Sequence, residues 1–121
     1  MRHVFALIAL IATPAFADGV RNSDVRLNRA GMDTLLTGKV VTFFDGSKSS
    51  YAPDGSYGYT YTDDGPVWRG VYTLGDDSRV CVAFENGSSR CDMFVMDGDR
   101  AVLITDEGTR FPGRNSTVYQ R

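Results

Sequence analysis

Length, composition and charge already limit what this chain is able to do. It has 121 residues, 23% of them charged, and a formal net charge of −2, so it lacks the basic excess of nucleic-acid-binding proteins. We therefore expect no nucleic-acid partner.

The first 17 residues have the three parts of a cleavable secretory signal peptide. Arg2 and His3 supply positive charge, residues 4–12 form an uncharged apolar run, and Ala15-Phe16-Ala17 is a small-residue cleavage box. The apolar run is well short of the roughly 20 residues that a membrane span needs. We therefore predict that residues 1–17 are a signal peptide and that the product has no membrane anchor.

Cleavage would leave a single domain over residues 18–121. His3 is the only histidine and would be lost, which excludes Ser-His-Asp or Cys-His catalysis and any imidazole metal site from this domain. Arg2 would be lost as well, so 12 basic residues would remain against 15 acidic ones, a formal net charge of −3. The sequence predicts a periplasmic or secreted monomer.

A short helix is predicted near the start of the domain. Asn28 is suited to cap its first turn, and Met32, Leu35 and Leu36 share one face. Gly38 marks the end of the helix. We expect this helix to plug or cover one end of the remaining fold.

Turn signals such as Asp45-Gly46 and Asp97-Gly98 recur about every 8 to 12 residues along the rest of the chain. The segments between them are rich in Val, Thr, Tyr and Phe, which favour strands. The pattern predicts eight strands, over residues 39–44, 49–52, 56–62, 67–74, 79–85, 88–96, 100–105 and 109–111.

The fold class is therefore all-β, because short connections favour antiparallel pairing between consecutive strands. Such a meander forms either a closed up-and-down barrel or a sandwich of two sheets. We favour the barrel, which leaves no exposed edge strand. Residues 18–24 and 112–121 show no periodicity and are predicted to be mobile tails.

Five aromatic side chains are the candidate binding residues. With Thr62 opposite Val67, one face of the hairpin becomes a ladder in which Tyr61 pairs with Trp68, Tyr59 with Gly70, and Tyr57 with Tyr72. Gly70 would then make room for the ring of Tyr59. These rings either fill the core of the barrel or bind a ligand with an apolar face, such as a sugar.

Cys81 and Cys91 are the only cysteines, and two cysteines in an oxidising compartment most simply form one disulfide. The turn between their strands leaves two registers open. A two-residue turn at Asn86-Gly87 gives one continuous apolar face, but it places Cys81 opposite Asp92 and away from Cys91.

A three-residue loop over residues 85–87, with Gly87 left-handed, allows the disulfide but interrupts the continuous apolar face. It places Cys81 directly opposite Cys91, and it moves Arg90 and Asp92 onto the valine face. A β-bulge would reconcile the two registers, and we predict one near residues 88–91.

Candidates for catalysis and metal binding are few. Glu85 and Asp92 are strand carboxylates that would face each other, but a salt bridge with Arg90 on the outer face explains them equally well. Acidic turns such as Asp97-Gly98-Asp99 suit calcium, but Asp-Gly is also ordinary turn chemistry. We find no nucleophile beside an activating base, so we predict no enzyme, no metal and no cofactor.

Several short segments within residues 30–105 are distinctive: Leu36-Thr37-Gly38-Lys39, Tyr51-Ala52-Pro53-Asp54-Gly55, Trp68-Arg69-Gly70-Val71-Tyr72, and Cys81-Val82-Ala83-Phe84 with Arg90-Cys91. Together they resemble a group of small exported bacterial proteins whose function is not established. The resemblance implies a periplasmic β domain and transfers no catalytic residue. More distantly, the chain is similar to lipocalin-like barrels and to periplasmic inhibitors of bacterial metalloproteases.

Two hypotheses for function follow. The first is a non-enzymatic binding module that holds a small molecule or a cell-envelope glycan at Tyr57, Tyr59, Tyr61, Trp68 and Tyr72. The second is a protein-binding inhibitor or cell-envelope accessory factor that contacts its partner through residues 18–26 or through an exposed loop.

Overall fold

The structure is a computed structural model that describes residues 19–120. Its main elements are β1 (Asp24–Arg26), α1 (Arg29–Leu36), β2 (Lys39–Phe43), β3 (Lys48–Tyr51), β4 (Ser56–Thr60), β5 (Trp68–Leu74), β6 (Arg79–Phe84), β7 (Ser89–Asp97), β8 (Arg100–Ile104) and β9 (Arg110–Val118). The predicted signal peptide, residues 1–17, and the predicted new terminus, Asp18, lie outside the described residues.

Strands β2 to β9 form a closed antiparallel barrel of eight strands. Each strand pairs with the next one along the chain, and β9 pairs with β2 to close the cylinder. The closing ladder runs from Lys39 opposite Val118 to Phe43 opposite Gly113. The predicted all-β barrel is confirmed, and the alternative of two packed sheets does not occur.

The closing strand is the largest error in the predicted strand bounds. The sequence predicted a strand over 109–111 and a tail beyond it, whereas β9 runs from Arg110 to Val118. Most of β9 is exposed, so its side chains show no apolar alternation. Pro112 and Gly113 also resemble a turn more than a strand interior.

The segment that precedes the barrel belongs to the sheet. The sequence predicted a tail over residues 18–24, whereas Asp24 begins β1, which pairs with the second half of β7. The Nη1 and Nη2 atoms of Arg110 donate to the carboxylate of Asp24 over 2.6 and 3.0 Å, and the side chain of Asp24 is fully buried. Arg110 also donates to the carbonyl oxygen of Gly19 over 2.7 Å.

Helix α1 closes one end of the barrel. The Oδ1 atom of Asn28 caps it by accepting a hydrogen bond of 2.8 Å from the backbone N–H of Gly31. Met32 and Leu36 have no exposed surface and belong to the same buried cluster as Tyr51 in the barrel interior. The predicted helix, its cap and its apolar face are confirmed.

Cys81 and Cys91 form the predicted disulfide between β6 and β7. They lie directly opposite each other, with Cα atoms 4.0 Å apart. The connection is the three-residue loop, since the N–H of Phe84 donates to the carbonyl oxygen of Ser88. Gly87 has a φ of +90°, a conformation that glycine adopts without strain.

The predicted bulge near residues 88–91 is wrong. The pairing of β6 with β7 continues through this region without a shift. The barrel therefore accepts Arg90 and Asp92 on its inner face and needs no local correction. A bulge occurs instead in β9, where the register with β2 shifts before Phe43 and leaves Arg114 as the extra residue.

Candidate ligand-binding cavity

The end of the barrel opposite α1 opens into a cavity of about 620 Å³. The turns β2–β3, β4–β5, β6–β7 and β8–β9 all contribute lining residues. Alternate turns of an up-and-down barrel lie at the same end, so these four turns form the rim of the opening. The volume falls within the roughly 300 to 1,000 Å³ typical of small-molecule sites.

Four of the five predicted binding residues line this cavity: Tyr57, Tyr59, Tyr61 and Trp68. We call them the aromatic wall. The ring of Tyr59 stands edge-on to that of Tyr61, with centroids 4.9 Å apart. Tyr61 and Trp68 are 64% and 45% exposed, so ring surface is available to a ligand.

The register of the β4–β5 hairpin differs by two residues from the predicted one. Tyr59, and not Tyr61, lies opposite Trp68, and Tyr57, and not Tyr59, lies opposite Gly70. The cause is that β4 ends earlier and the connection is longer than predicted. Because side chains alternate with a period of two, this shift leaves every ring on its predicted face.

Tyr72, the fifth predicted binding residue, lies away from the cavity. Its hydroxyl donates to the carbonyl oxygen of Ala52 over 2.7 Å, and its ring stands edge-on to that of Tyr51 at 5.1 Å. Only 9% of Tyr72 is exposed. This ring fills the core, which is the alternative role that the sequence allowed for the aromatic ladder.

A layer of polar groups, which we call the polar layer, lies at the buried end of the aromatic wall. The hydroxyls of Tyr57 and Ser49 are hydrogen-bonded at 3.0 Å, and both residues are buried. Burial raises the pKa of Tyr57 to about 12 and also raises the pKa of Tyr59. Both phenols are therefore neutral at physiological pH and offer hydrogen bonds rather than charge.

Arg90 and Asp92 form an ion pair in the same layer. The Nε and Nη2 atoms of Arg90 donate to the two carboxylate oxygens of Asp92 over 2.9 and 2.8 Å. They lie opposite Val82 and Val80, which are core residues, so the pair is on the inner face and not on the outer face that the sequence suggested. Glu85 is outside this pair, in the β6–β7 loop.

Burial and charge act in opposite directions on this ion pair. Burial raises the pKa of the Asp92 carboxyl, and the hydrogen bonds and charge of Arg90 oppose the rise. The hydrogen bonds to Asp92 raise the pKa of Arg90. Asp92 has 9% of its side chain exposed and Arg90 has 50%, so the guanidinium is the half that borders the open cavity.

Three further carboxylates stand at the opening: Asp45, Asp106 and Glu107. We call them the rim carboxylates. The Oδ1 atom of Asp45 accepts hydrogen bonds of 2.9 and 2.6 Å from the backbone N–H and hydroxyl of Ser47. Of the described residues that line the cavity, four are acidic and Arg90 alone is basic, so the lining has a formal charge of −3.

The cavity includes residues that the sequence analysis did not single out as binding residues. Phe43, Phe84 and Phe111 add apolar ring surface, and Arg90 and Asp92 add charge. The three-residue loop over residues 85–87 was the feature of the sequence that indicated the position of the charged pair, because this loop places Arg90 and Asp92 on the same face as Val80 and Val82. Within residues 19–120, no three Asp, Glu, His or Cys side chains are grouped closely enough to hold a metal ion.

Comparison with known proteins returns no relative. No protein-family model, curated protein or solved structure matches the chain significantly. The barrel that the sequence resemblance implied is present, and kinship with small exported proteins or with lipocalin-like barrels stays a prediction. No helix in the part of the chain that the structure describes is long and apolar enough to cross a membrane.

Proposed function

We propose that the barrel is a non-enzymatic binding module that takes up a small organic molecule or a unit of a cell-envelope glycan at its open end. The observation that best supports this is the cavity, which is open at the rim and lined on one side by the aromatic wall. Tyrosine and tryptophan combine flat apolar faces with polar tips, which suits such ligands. The lining also carries many polar groups, of which Ser49, Arg90 and Asp92, in the polar layer, would orient a ligand.

The cup shape is compatible with a lipocalin-like barrel, as the sequence resemblance implied. The disulfide supports a periplasmic or secreted location, because structural disulfides persist mainly in oxidising compartments. A protein of this kind would carry or sense its ligand outside the cytoplasm. The predicted signal peptide is the route by which it would arrive there.

The test uses N-phenyl-1-naphthylamine, a neutral aromatic probe whose fluorescence rises in apolar surroundings. Trp68 is the only tryptophan of the chain and lines the cavity, so its own emission reports binding there. We expect saturable binding to one site with a change in Trp68 emission.

A matched pair of variants locates that site. Ser88 lines the cavity and the adjacent Ser89 does not, and both are exposed. Ser88→Phe should fill the cavity and weaken binding of the probe, whereas Ser89→Phe should leave it unchanged. Absence of saturable binding, or equal binding to both variants, would contradict the proposal.

A second surface supports the alternative of a protein-binding inhibitor or envelope accessory factor. An apolar groove of about 590 Å³ lies beside α1, with Leu27, Leu35 and Val118 among its lining residues. Val118 is 64% exposed, and Val25 on β1 is 57% exposed. Exposed apolar side chains of this kind favour protein contact.

Deleting residues 18–26 is a poor test of this alternative, because Asp24 is held by Arg110 and the deletion would disturb the barrel. Val25→Asp combined with Val118→Asp is cleaner. If the alternative is correct, a partner captured from periplasmic extract by the wild type should be lost with this variant and kept with Ser88→Phe. Loss of the partner with Ser88→Phe and its retention with the double aspartate variant would favour the cavity as the binding site.

A further inference from the structure

We infer that the ligand of the open cavity is an organic cation, an amine or quaternary ammonium compound whose charged group lies against the aromatic wall within the ring of rim carboxylates. The inference rests on the proposed function and adds the charge class of the ligand to it. Three features of the cavity support it: the charge of its lining, the exposed ring faces, and the ion pair in which Asp92 already engages the Arg90 guanidinium.

The lining of the cavity carries an excess of negative charge. The carboxylates of Asp45, Asp92, Asp106 and Glu107 face the same cavity as a single guanidinium. Asp92 and Arg90 neutralise each other through two hydrogen bonds, which leaves the rim carboxylates without a basic partner among the described lining residues. A cleft lined by one sign of charge concentrates ligands of the opposite sign.

Two of the rim carboxylates, Asp45 and Asp106, also act on the interior of the cavity. Asp45 contributes to the raised pKa of Tyr59, after the larger effect of burial. Asp106 contributes in the same way to the raised pKa of Asp92, again after burial. Their negative charge therefore extends from the rim towards the aromatic wall and the polar layer beneath it.

The exposed rings of the aromatic wall favour the same charge class. Tyr59, Tyr61 and Trp68 lie together, with Tyr59 opposite Trp68 across the β4–β5 ladder and edge-on to Tyr61. The faces of such rings carry partial negative charge and attract cations, most strongly in tryptophan. A quaternary ammonium group also has an apolar surface, so a ring wall binds it without removing a tightly held hydration shell.

The remaining charge classes fit less well. An anionic ligand must pass the rim carboxylates, and it then meets an Arg90 whose Nε and Nη2 atoms are already engaged by Asp92. A neutral ligand of the same shape gains from the rings but not from the charges. The lining should therefore bind a cation more tightly than a neutral molecule or an anion of the same shape.

The experiment compares three probes of nearly equal size and shape: choline, its neutral isostere 3,3-dimethyl-1-butanol, and the anion 3,3-dimethylbutanoate. Each is titrated into the protein at matched ionic strength while the indole N–H resonance of Trp68 is followed by NMR. This resonance is unique because Trp68 is the only tryptophan. We expect choline to bind about fivefold more tightly than the neutral isostere, and the anion to bind most weakly.

A variant without the rim charges tests where the preference comes from. It combines Asp45→Asn, Asp106→Asn and Glu107→Gln, which keep the side-chain shapes. Its control removes three carboxylates away from the cavity lining by Asp33→Asn, Asp76→Asn and Asp99→Asn, so the net charge changes equally. The rim variant should lose most of the preference for choline, and the control should keep it.

The outcomes separate this inference from the proposed function. Equal affinity for the three probes, preference for the anion, or a preference that survives in the rim variant overturns the cation assignment. If N-phenyl-1-naphthylamine still binds in the cavity in that case, the proposed binding function stands and only the cation assignment is wrong. If neither that probe nor any member of the charge series binds, both fall together.

Discussion

Arg90 and Asp92 are joined by two hydrogen bonds from positions two residues apart on β7, inside the barrel. The residues opposite them on β6, Val82 and Val80, are core residues. An ion pair therefore occupies inner positions that the valine pattern of β6 assigns to apolar side chains. Breaking a buried pair by removing one partner is costly, because it leaves an uncompensated charge.

Replacing Arg90 by methionine should make the stability of the barrel more dependent on pH. Burial already holds the pKa of Asp92 above its ordinary value of 3.8. A raised native pKa gives a contribution to stability that is fully present below pH 3.8 and is lost as the pH rises through the native value. Arg90→Met removes the group that opposes the rise, so the pKa of Asp92 should rise further.

The variant should therefore be nearly as stable as the wild type in acid and less stable by about 1 to 2 kcal/mol at neutral pH, less than for a fully buried pair because half of Arg90 is exposed. Urea unfolding across this pH range measures the difference. Adding Asp92→Asn to Arg90→Met removes the titrating carboxyl, so the steep loss of stability between acid and neutral pH should be absent from the double variant. A difference that stays constant with pH in the single variant would contradict this account.

Asp24 should show the opposite pH dependence. The hydrogen bonds from Arg110 hold the pKa of Asp24 below its ordinary value of 3.8. Its contribution to stability is therefore present above pH 3.8 and is lost as the pH falls through the lower native value. Asp24→Asn should be less stable than the wild type by about 1 to 2 kcal/mol at neutral pH.

This difference should shrink as the pH falls below 3.8 and through the lower native value, because the wild-type carboxyl then becomes protonated as well. Thermal unfolding of the two proteins over this range is the measurement. Asp99→Asn serves as the control, because the pair formed by Asp24 with Arg110 is intact in it. If Asp24→Asn matches the wild type at neutral pH, the ion pair does not stabilise the attachment of β1.

Removing the disulfide should lower stability without changing the cavity. The bond closes a short loop between residues 10 apart, and the loss of this constraint should lower the free energy of unfolding by about 3 kcal/mol. Cys81 and Cys91 alternate with the inward residues Val82 and Arg90, so the bond lies on the outer face. Cys81→Ala with Cys91→Ala should therefore keep wild-type affinity for N-phenyl-1-naphthylamine. Unchanged urea unfolding, or a large loss of affinity, would contradict this assignment.

The local rhythm of the sequence was sufficient for the barrel and for most of the aromatic wall. The turn signals separate strands whose inner and outer faces follow a period of two. For this reason Tyr57, Tyr59 and Trp68 reach one face even though their register was predicted two residues away. Tyr72 shares that face but lies in the core next to Tyr51, and periodicity carries no information on depth along the barrel axis.

The position of Arg90 and Asp92 required information that the apolar pattern does not contain. Met93 and Val95 lie on the outer face of β7, yet they are buried in a second cluster with Val20. Phe94 is buried on the inner face. A strand with both faces buried has no apolar alternation to select its register, so the loop and the disulfide determine it. The extension of the closing strand β9 beyond residue 111 was missed for the related reason that its ladder with β2 joins segments far apart in the chain.

Gly70 provides a test of close packing between strands that the sequence explained for the wrong reason. The sequence suggested that Gly70 makes room for Tyr59, whereas a Cβ atom at this position would overlap the backbone carbonyl of Ala83 on β6. Backbone cannot move aside as a flexible side chain does, so Gly70→Ala should destabilise the protein by about 1 to 3 kcal/mol. Gly58→Ala is the matched control in the same hairpin, because its Cβ would meet only side-chain atoms, a methyl group of Val67 at 3.3 Å and the Cβ of Ser50 at 4.0 Å. In urea unfolding, the free energy of unfolding of Gly58→Ala should lie within about 1 kcal/mol of the wild-type value. Equal losses for the two variants would show that strand flexibility, and not contact with β6, is the reason for glycine at position 70.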